Sequence, residues 1–136
     1  MQKTTTYLLF VGEQSGKAEE AINLYTSLFT ESEVKHVEYF KAGEPAGEEG
    51  TVKQAIFTLA GQEYRAMDGG AGHQFSFTPA VSIFVTCESE EEIDMLYQRL
   101  LEGGSALMPL GDYGFSRKFG WLNDRYGVSW QLNLEV

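Results

Sequence analysis

The chain has 136 residues, close to the size of one compact domain, and its 43% hydrophobic and 13% aromatic residues are typical of a packed core. Twenty acidic against ten basic side chains give a formal net charge of -10, which disfavours nucleic acid and anionic membranes as partners. A cationic ligand stays compatible with this charge.

The first half of the chain predicts a strand, a helix and three further strands. The first strand covers residues 7–11 and leads into a polar loop that contains glycine. An amphipathic helix follows, because six side chains recur at three- and four-residue steps and so share one face: Ala18, Ala21, Ile22, Tyr25, Leu28 and Phe29. The three strands are predicted over residues 33–41, 51–60 and Gln62–Asp68.

The second half repeats this order of elements. A strand over residues 81–87 precedes a helix that Ser89 can cap, with Glu92 completing a capping box. The helix ends at Gly103 and Gly104. Its apolar stripe is Ile93, Leu96, Tyr97, Leu100 and Leu101. A weak strand near residues 106–110 and strands over 115–123 and 128–136 complete the chain.

The two halves form a faint internal repeat, most visible between helix segments 19–25 and 91–97. Neither half alone buries both its helix stripe and one face of its sheet, so we expect them to fold as a single domain over residues 1–136. The modules cover approximately residues 1–70 and 78–136, and a glycine-rich loop over 69–74 joins them. A strand, not a helix, follows this loop, which argues against a phosphate cradle there.

Cys87 is the only cysteine, so no disulfide can form within one chain and a reducing compartment is expected. It closes an apolar strand, which favours a buried structural thiol over a catalytic one. The apolar run at residues 7–11 is far too short for a signal peptide or a membrane span. We therefore expect a cytoplasmic protein with no membrane partner.

Three segments, over residues 18–29, 80–87 and 120–131, closely resemble the PhnB-like branch of the glyoxalase, bleomycin-resistance and extradiol dioxygenase superfamily, or vicinal oxygen chelate superfamily. Together they span nearly the whole chain, and the last one, GWLNDRYGVSWQ, is the most specific. The resemblance implies an α+β fold in which tandem βαβββ modules form a cupped mixed sheet, with helices outside and a ligand or metal within. It also implies a homodimer.

Members of this branch often carry the label 3-demethylubiquinone-9 3-methyltransferase. We interpret the label as nominal for this chain. A nucleotide-type methyl donor usually binds an α/β sheet at a glycine-rich turn between strand and helix, and the sequence offers neither the length nor that turn.

The resemblance also implies where metal ligands would stand, on the first and last strands of each module. The corresponding positions are Thr5 or Thr6, Ala66 or Asp68, Ser82, and Gln131. Transition metals prefer imidazole, carboxylate or thiolate donors, so this set predicts no competent site. A divalent ion, if one binds, would use Asp68 and Gln131. His36 and His73 fall outside these positions, and contact of His73 with a ligand stays open.

Strand alternation predicts which side chains face the cup. On the last strand, the apolar set Trp130, Leu132 and Leu134 should pack on helices, which turns Ser129, Gln131 and Asn133 toward the ligand. On the fifth strand, Val81, Ile83 and Val85 should face the helices, and Ser82, Phe84 and Thr86 the cup. The predicted ligand-binding residues are Phe10, Met67, Asp68, Ser82, Phe84, Phe119, Trp121 and Gln131.

Three functions fit the sequence. The first is a binding protein without a metal cofactor that holds a small aromatic or cationic compound. The lack of good metal-coordinating residues at the expected positions favours it. The second is an isomerase, lyase or dioxygenase that uses a divalent metal. The third is a dimeric scaffold whose cup is filled by its own side chains. Whether the chain is an enzyme stays open at this stage.

Overall fold

A computed structural model describes residues 2–70 and 72–135. The predicted start of the first module at Met1, the loop residue Ala71 and the predicted end of the last strand at Val136 lie outside the described residues. The chain divides into two compact units, one ending at Ser76 and the other beginning at Phe77. Each unit contains one strand, one helix and three further strands, which confirms the predicted tandem βαβββ modules.

The first unit builds a four-stranded mixed sheet with one helix. Its elements are β1 (Thr6–Phe10), α1 (Ala18–Leu28), β2 (Glu33–Tyr39), β3 (Val52–Leu59) and β4 (Gln62–Asp68). The strand order is β1-β4-β3-β2. Strands β1 and β4 are parallel, and the other neighbours are antiparallel.

The second unit has the same topology. Its elements are β5 (Ser82–Cys87), α2 (Glu90–Leu101), β6 (Ser105–Gly111), β7 (Lys118–Asn123) and β8 (Ser129–Leu134). The strand order β5-β8-β7-β6 corresponds to that of the first sheet, with β5 and β8 parallel. Both sheets therefore follow the predicted α+β plan.

Helix α1 is capped by a side chain that is distant in sequence. Its N-cap residue, Lys17, supplies no capping hydrogen bond. The buried carboxylate of Asp68 does so instead, because its Oδ1 accepts the backbone N–H groups of Gly16 at 2.8 Å and Ala18 at 3.0 Å. Its Oδ2 accepts the N–H of Val52 at 2.9 Å, which also ties the start of β3 to the end of β4.

Helix α2 is capped locally, as the sequence predicted. Ser89 Oγ accepts the N–H of Glu92 at 3.1 Å, and the Glu92 carboxylate accepts the N–H of Glu88 at 2.7 Å. Gly103 then adopts a φ of 77° directly after the helix, a conformation that favours glycine.

Each sheet buries one face against its helix. In the second unit Gly120 lies against the Tyr97 ring of α2, so that ring occupies the space a side chain would need. Cross-strand partners share a face, so the side chains in register with Gly120 and with the alternate positions Lys118 and Leu122 also face the helix. They form the core of this unit: Leu122, Trp130, Leu132 and Leu134. The opposite face carries the side chains of the alternate positions.

Most strand boundaries lie within two residues of the sequence prediction, and two differences have structural consequences. Val81 precedes β5 and is 76% exposed, so the expectation that it packs on the helices is wrong. Strand β7 begins at Lys118, three residues later than predicted, because the chain turns sharply before it. Gly114 has a φ of 92° in this turn and donates its N–H to Asp112 Oδ1 at 2.8 Å.

Candidate ligand-binding site

The open face of the second sheet, opposite α2, carries a cavity of about 650 Å³. Small-molecule sites usually measure about 300–1,000 Å³ and combine apolar walls with a few polar groups. The lining here has that composition: Phe84, Met108, Phe115, Phe119, Trp121, Gln131, Asn133 and Glu135. A molecule of one or two rings would fit this space.

Strand register brings the centre of the lining together in one row. Phe84 of β5 pairs with Gln131 of β8, Gln131 with Trp121 of β7, and Trp121 with Met108 of β6. Register partners point to the same face of a sheet. Three apolar side chains and one amide thus form a continuous surface across all the strands of the sheet.

A polar row lies next to this surface and orients it. Ser129 Oγ accepts the indole N–H of Trp121 at 2.9 Å and lies 2.7 Å from Ser82 Oγ. Gln131 Nε2 donates to Ser82 Oγ at 3.3 Å. These bonds hold the indole ring and the amide in fixed orientations, which lowers the entropy lost on binding. The row consists of Ser82, Ser129, Asn123 and Ser105.

Aromatic rings from the turn between β6 and β7 extend the wall. Phe115 meets the buried Phe119 edge to face, with ring centroids 5.0 Å apart, and Tyr113 stacks on Phe115 at 6.2 Å. Phe115 and Phe84 remain 64% and 56% exposed. Exposed rings grouped around one cavity offer apolar area that a ligand can cover.

The cavity has one formal charge among its lining residues, the carboxylate of Glu135. The nearest cations in sequence, Arg117 and Lys118, pair with helix α2 instead. Lys118 Nζ lies 2.6 Å from Asp94 Oδ1, and Arg117 lies 3.9 Å from Glu90. The hydrogen bond that Lys118 donates to Asp94 raises the pKa of Lys118 above its usual value. No residue from 72 to 135 forms an ion pair with Glu135.

Cys87 lies on β5 and is buried, as predicted. Burial raises the pKa of its thiol to about 12, and the nearby charge of Glu92 adds to the shift. The thiolate is the nucleophilic form, so this cysteine is inert at neutral pH. Its role is structural packing.

The two histidines belong to the first unit and do not line this cavity. His36 lies on β2, and its half-exposed ring is 3.6 Å from Glu38. His73 is exposed in the glycine-rich loop, and its ring contacts Phe75 at a centroid distance of 5.0 Å.

The residues expected to hold a divalent metal do not fit that role. Both carboxylate oxygens of Asp68 accept backbone N–H groups, whose positive ends would repel a cation. The side-chain nitrogen of Gln131 is bonded to Ser82, which leaves one neutral amide oxygen as donor. Within residues 2–70 and 72–135, no cluster of three or more His, Cys, Asp and Glu side chains could hold a metal ion.

Four predicted ligand-binding residues line the cavity together: Phe84, Phe119, Trp121 and Gln131. Ser82 lies in the adjacent row of the same face and accepts a hydrogen bond from the Gln131 amide. Met67 lies on the open face of the first sheet, where it is partly exposed.

The expectation that Phe10 and Asp68 face the open side is wrong. They are register partners on β1 and β4, and Asp68 bonds to the start of α1, so both lie on the helix face of the first sheet. Phe10 is fully buried there. Phe10 is buried because it packs under α1, and Asp68 is buried because its carboxylate caps α1.

Sequence reasoning missed three lining residues, Met108, Phe115 and Glu135. Extending the alternation of β8 one residue past its end at Leu134 assigns Glu135 to the same face as Gln131 and could have found it. Phe115 lies four positions before Phe119 and would share its face if the strand extended that far, but it belongs to a turn. Met108 could not be placed from sequence, because register shifts on both sides of it break the pairing of β6 with β7.

Two modules that each place a helix on one face of a mixed sheet define a protein of the glyoxalase and bleomycin-resistance-like fold. Solved structures agree. The genomically encoded fosfomycin resistance protein FosX from Listeria monocytogenes has a TM-score of 0.61 over 100% of this chain and 96% of that one. At 14% identity this similarity concerns the fold alone.

The family model for 3-demethylubiquinone-9 3-methyltransferase matches residues 2–133, so the chain belongs to this family, the PhnB-like branch of the superfamily. This confirms the resemblance seen in the sequence. A putative 3-demethylubiquinone-9 3-methyltransferase, PhnB protein, from Bacillus cereus is 56% identical, with a TM-score of 0.92 over 98% of this chain and 99% of that one. Protein PA1353 from Pseudomonas aeruginosa is 27% identical, with a TM-score of 0.83 over 99% and 98%.

No curated protein matches the chain. Along residues 2–70 and 72–135, no helix is long and apolar enough to cross a bilayer.

Proposed function

We propose that this chain is a binding protein for a small molecule with an aromatic or apolar body, held in the cavity on the open face of the second sheet. The observation that carries the proposal is the row Phe84, Gln131, Trp121 and Met108. It combines apolar area with one amide that is already oriented by Ser82. The apolar area supplies affinity, and the amide selects how the ligand lies.

A matched pair of phenylalanine variants tests the proposal. Phe84 lines the cavity and is 56% exposed, whereas Phe75 is 57% exposed and lies in the first unit. A panel of aromatic and cationic metabolites is screened by thermal shift, and hits are measured by titration calorimetry. We expect Phe84→Ala to weaken a hit about tenfold, since loss of a stacked ring costs about 0.5–1.5 kcal/mol besides its lost area. Phe75→Ala should change affinity less than about twofold.

Two results count against the proposal. One is the absence of any ligand from the panel that stabilises the protein. The other is an equal loss of affinity in the two variants, which would place binding away from the cavity.

Methyl transfer, which the family description names, is not favoured by these residues. The methyl donor S-adenosylmethionine has no phosphate, and its carboxylate would favour the N-terminus of a helix, where backbone N–H groups are free. At α1 those groups already donate to the carboxylate of Asp68. We expect no S-adenosylhomocysteine to form when the protein is incubated with S-adenosylmethionine and a hit from the panel.

A metal-dependent isomerase, lyase or dioxygenase is the alternative. Asp68 and Gln131 do not favour it, because their hydrogen bonds make them poor metal ligands. Under our proposal, added Mn²⁺, Ni²⁺ or Zn²⁺ leaves the affinity for a ligand unchanged. Elemental analysis of protein purified without chelators that finds a stoichiometric metal would favour the alternative.

We also propose that the protein acts as a cytoplasmic homodimer in which the two modules of each chain fold as one domain. The resemblance supports the dimer, and exposed apolar side chains such as Tyr7 and Val81 offer area to bury. Light scattering after size-exclusion chromatography should give twice the mass of the chain. A single calorimetric unfolding transition should report the single domain.

A further inference from the structure

The charge of the ligand can be inferred from the same cavity. We propose that the cavity selects organic cations, meaning small molecules with an aromatic ring or apolar body and one ammonium group. This inference rests on the proposed binding function and adds the sign of the charge to it.

The first argument is the arrangement of the aromatic rings. The lining contains four of them, and the faces of aromatic rings attract cations. The indole N–H of Trp121, its only strongly positive edge, is already donated to Ser129. The indole N–H is therefore not a donor for a ligand, and the ring itself is the part of Trp121 that can contact a cation. The lining rings are Phe84, Phe115, Phe119 and Trp121.

The second argument is the carboxylate of Glu135. Glu135 lies directly after the last strand, which ends at Leu134, and it lines the same cavity as Gln131 and Asn133. The two cations nearest to the cavity in sequence, Arg117 and Lys118, are paired with Glu90 and Asp94 of α2. The negative charge of the cavity is thus left without a compensating cation among residues 72–135.

The third argument concerns the hydrogen-bonding groups. The amide nitrogen of Gln131 uses one of its two N–H groups on Ser82, and its carbonyl oxygen stays available as an acceptor for a ligand. An oxygen acceptor suits the N–H groups of an ammonium ion. The lining contains no Lys, Arg or His, so an anionic ligand would lose part of its hydration without gaining an opposite charge.

The test uses three probes that share one ring and differ in charge: phenethylammonium, 2-phenylethanol and phenylacetate. Dissociation constants are measured by NMR titration, which also reports which residues shift. We expect the cation to bind about tenfold more tightly than the alcohol, in line with cation–π and carboxylate contributions at a partly exposed site. Phenylacetate should bind more weakly than the alcohol.

Two charge-matched variants separate the cavity from the general field of an acidic protein. Glu135→Gln and Glu102→Gln each remove one negative charge from the second unit, and Glu102 is exposed at the end of α2, outside the lining. We expect Glu135→Gln to weaken phenethylammonium about threefold to tenfold and the alcohol less than about twofold. Glu102→Gln should change neither by more than about twofold. Urea unfolding confirms that both variants fold.

The outcomes are distinct. If the three probes bind equally well, or if the two variants lose the same affinity for the cation, the selectivity is refuted while the binding function stands. If no probe binds at the highest usable concentration and no lining residue shifts, the binding function and the inference both fall.

Discussion

Replacement of Asp68 by Asn tests whether this carboxylate holds the fold together or serves a ligand. Asp68 is 1% exposed, and its oxygens accept the N–H groups of Gly16, Ala18 and Val52. Asn keeps one carbonyl oxygen, which can hold the two donors at α1. Its amide nitrogen then faces the N–H of Val52, and that donor loses its partner.

The cost follows from these contacts. A hydrogen bond to a charged acceptor contributes about 1.5–3 kcal/mol, and the charge at the helix N-terminus adds about 0.3–1 kcal/mol. We therefore expect Asp68→Asn to lower the free energy of unfolding by about 2–4 kcal/mol. For a domain of this size the melting temperature would fall by about 8–16 °C.

Urea unfolding followed by circular dichroism measures this change, provided that the m-value stays constant. The control is Glu49→Gln, which removes the same charge from an exposed position between β2 and β3 and should stay within about 0.5 kcal/mol of the unchanged protein. If Asp68→Asn is as stable as the control, or more stable, the capping role is wrong. A carboxylate kept for a metal or substrate would behave in that way.

Three further predictions concern the second unit. Gly104→Ala should lower the free energy of unfolding in urea by about 2–3 kcal/mol, because its Cβ would lie 2.1 Å from a backbone oxygen at the end of β7. The control is Gly72→Ala, which should leave this free energy unchanged because no atom lies within 4 Å of the added Cβ. Trp130→Phe should lower the free energy of unfolding by about 2–4 kcal/mol in the same assay, since the fully buried indole donates to Asp124 Oδ2 at 2.9 Å. A decrease below about 1 kcal/mol would contradict this prediction. The Cys87 thiol should react with a disulfide reagent near pH 8 at least about 100-fold more slowly in the folded than in the unfolded protein. Its pKa rises from 9.0 to about 12 on folding, so folding favours the protonated thiol, and stability should decline as pH rises between these values.

The order of elements could be read from the sequence because its signals are local. The stripe of α2 and its capping box at Ser89 depend on residues within a few positions of each other, and both were confirmed. The start of β7 was misplaced because Phe115 continues the alternation of the strand although the chain turns at Gly114. A turn with a positive φ interrupts pairing without interrupting the apolar pattern.

The site was partly predictable for a related reason. On β8 the apolar residues alternate with polar ones, which assigns Gln131 to the open face, and the cavity lies there. On β1 almost every position is apolar, so alternation cannot say which face Phe10 takes. The role of Asp68 depends on contacts with residues about fifty positions away, which no local pattern reveals.

The two modules share a topology but cap their helices differently, and this difference bears on where the cavity lies. Helix α2 takes its cap from Ser89, directly before it, whereas α1 depends on Asp68 at the end of the last strand of its module. The position that corresponds to Asp68 in the second module is Leu134, in register with Cys87 as Asp68 is with Phe10. The second module therefore needs no carboxylate beneath its helix. Its acidic residue directly after β8, Glu135, lines the cavity on the open face instead.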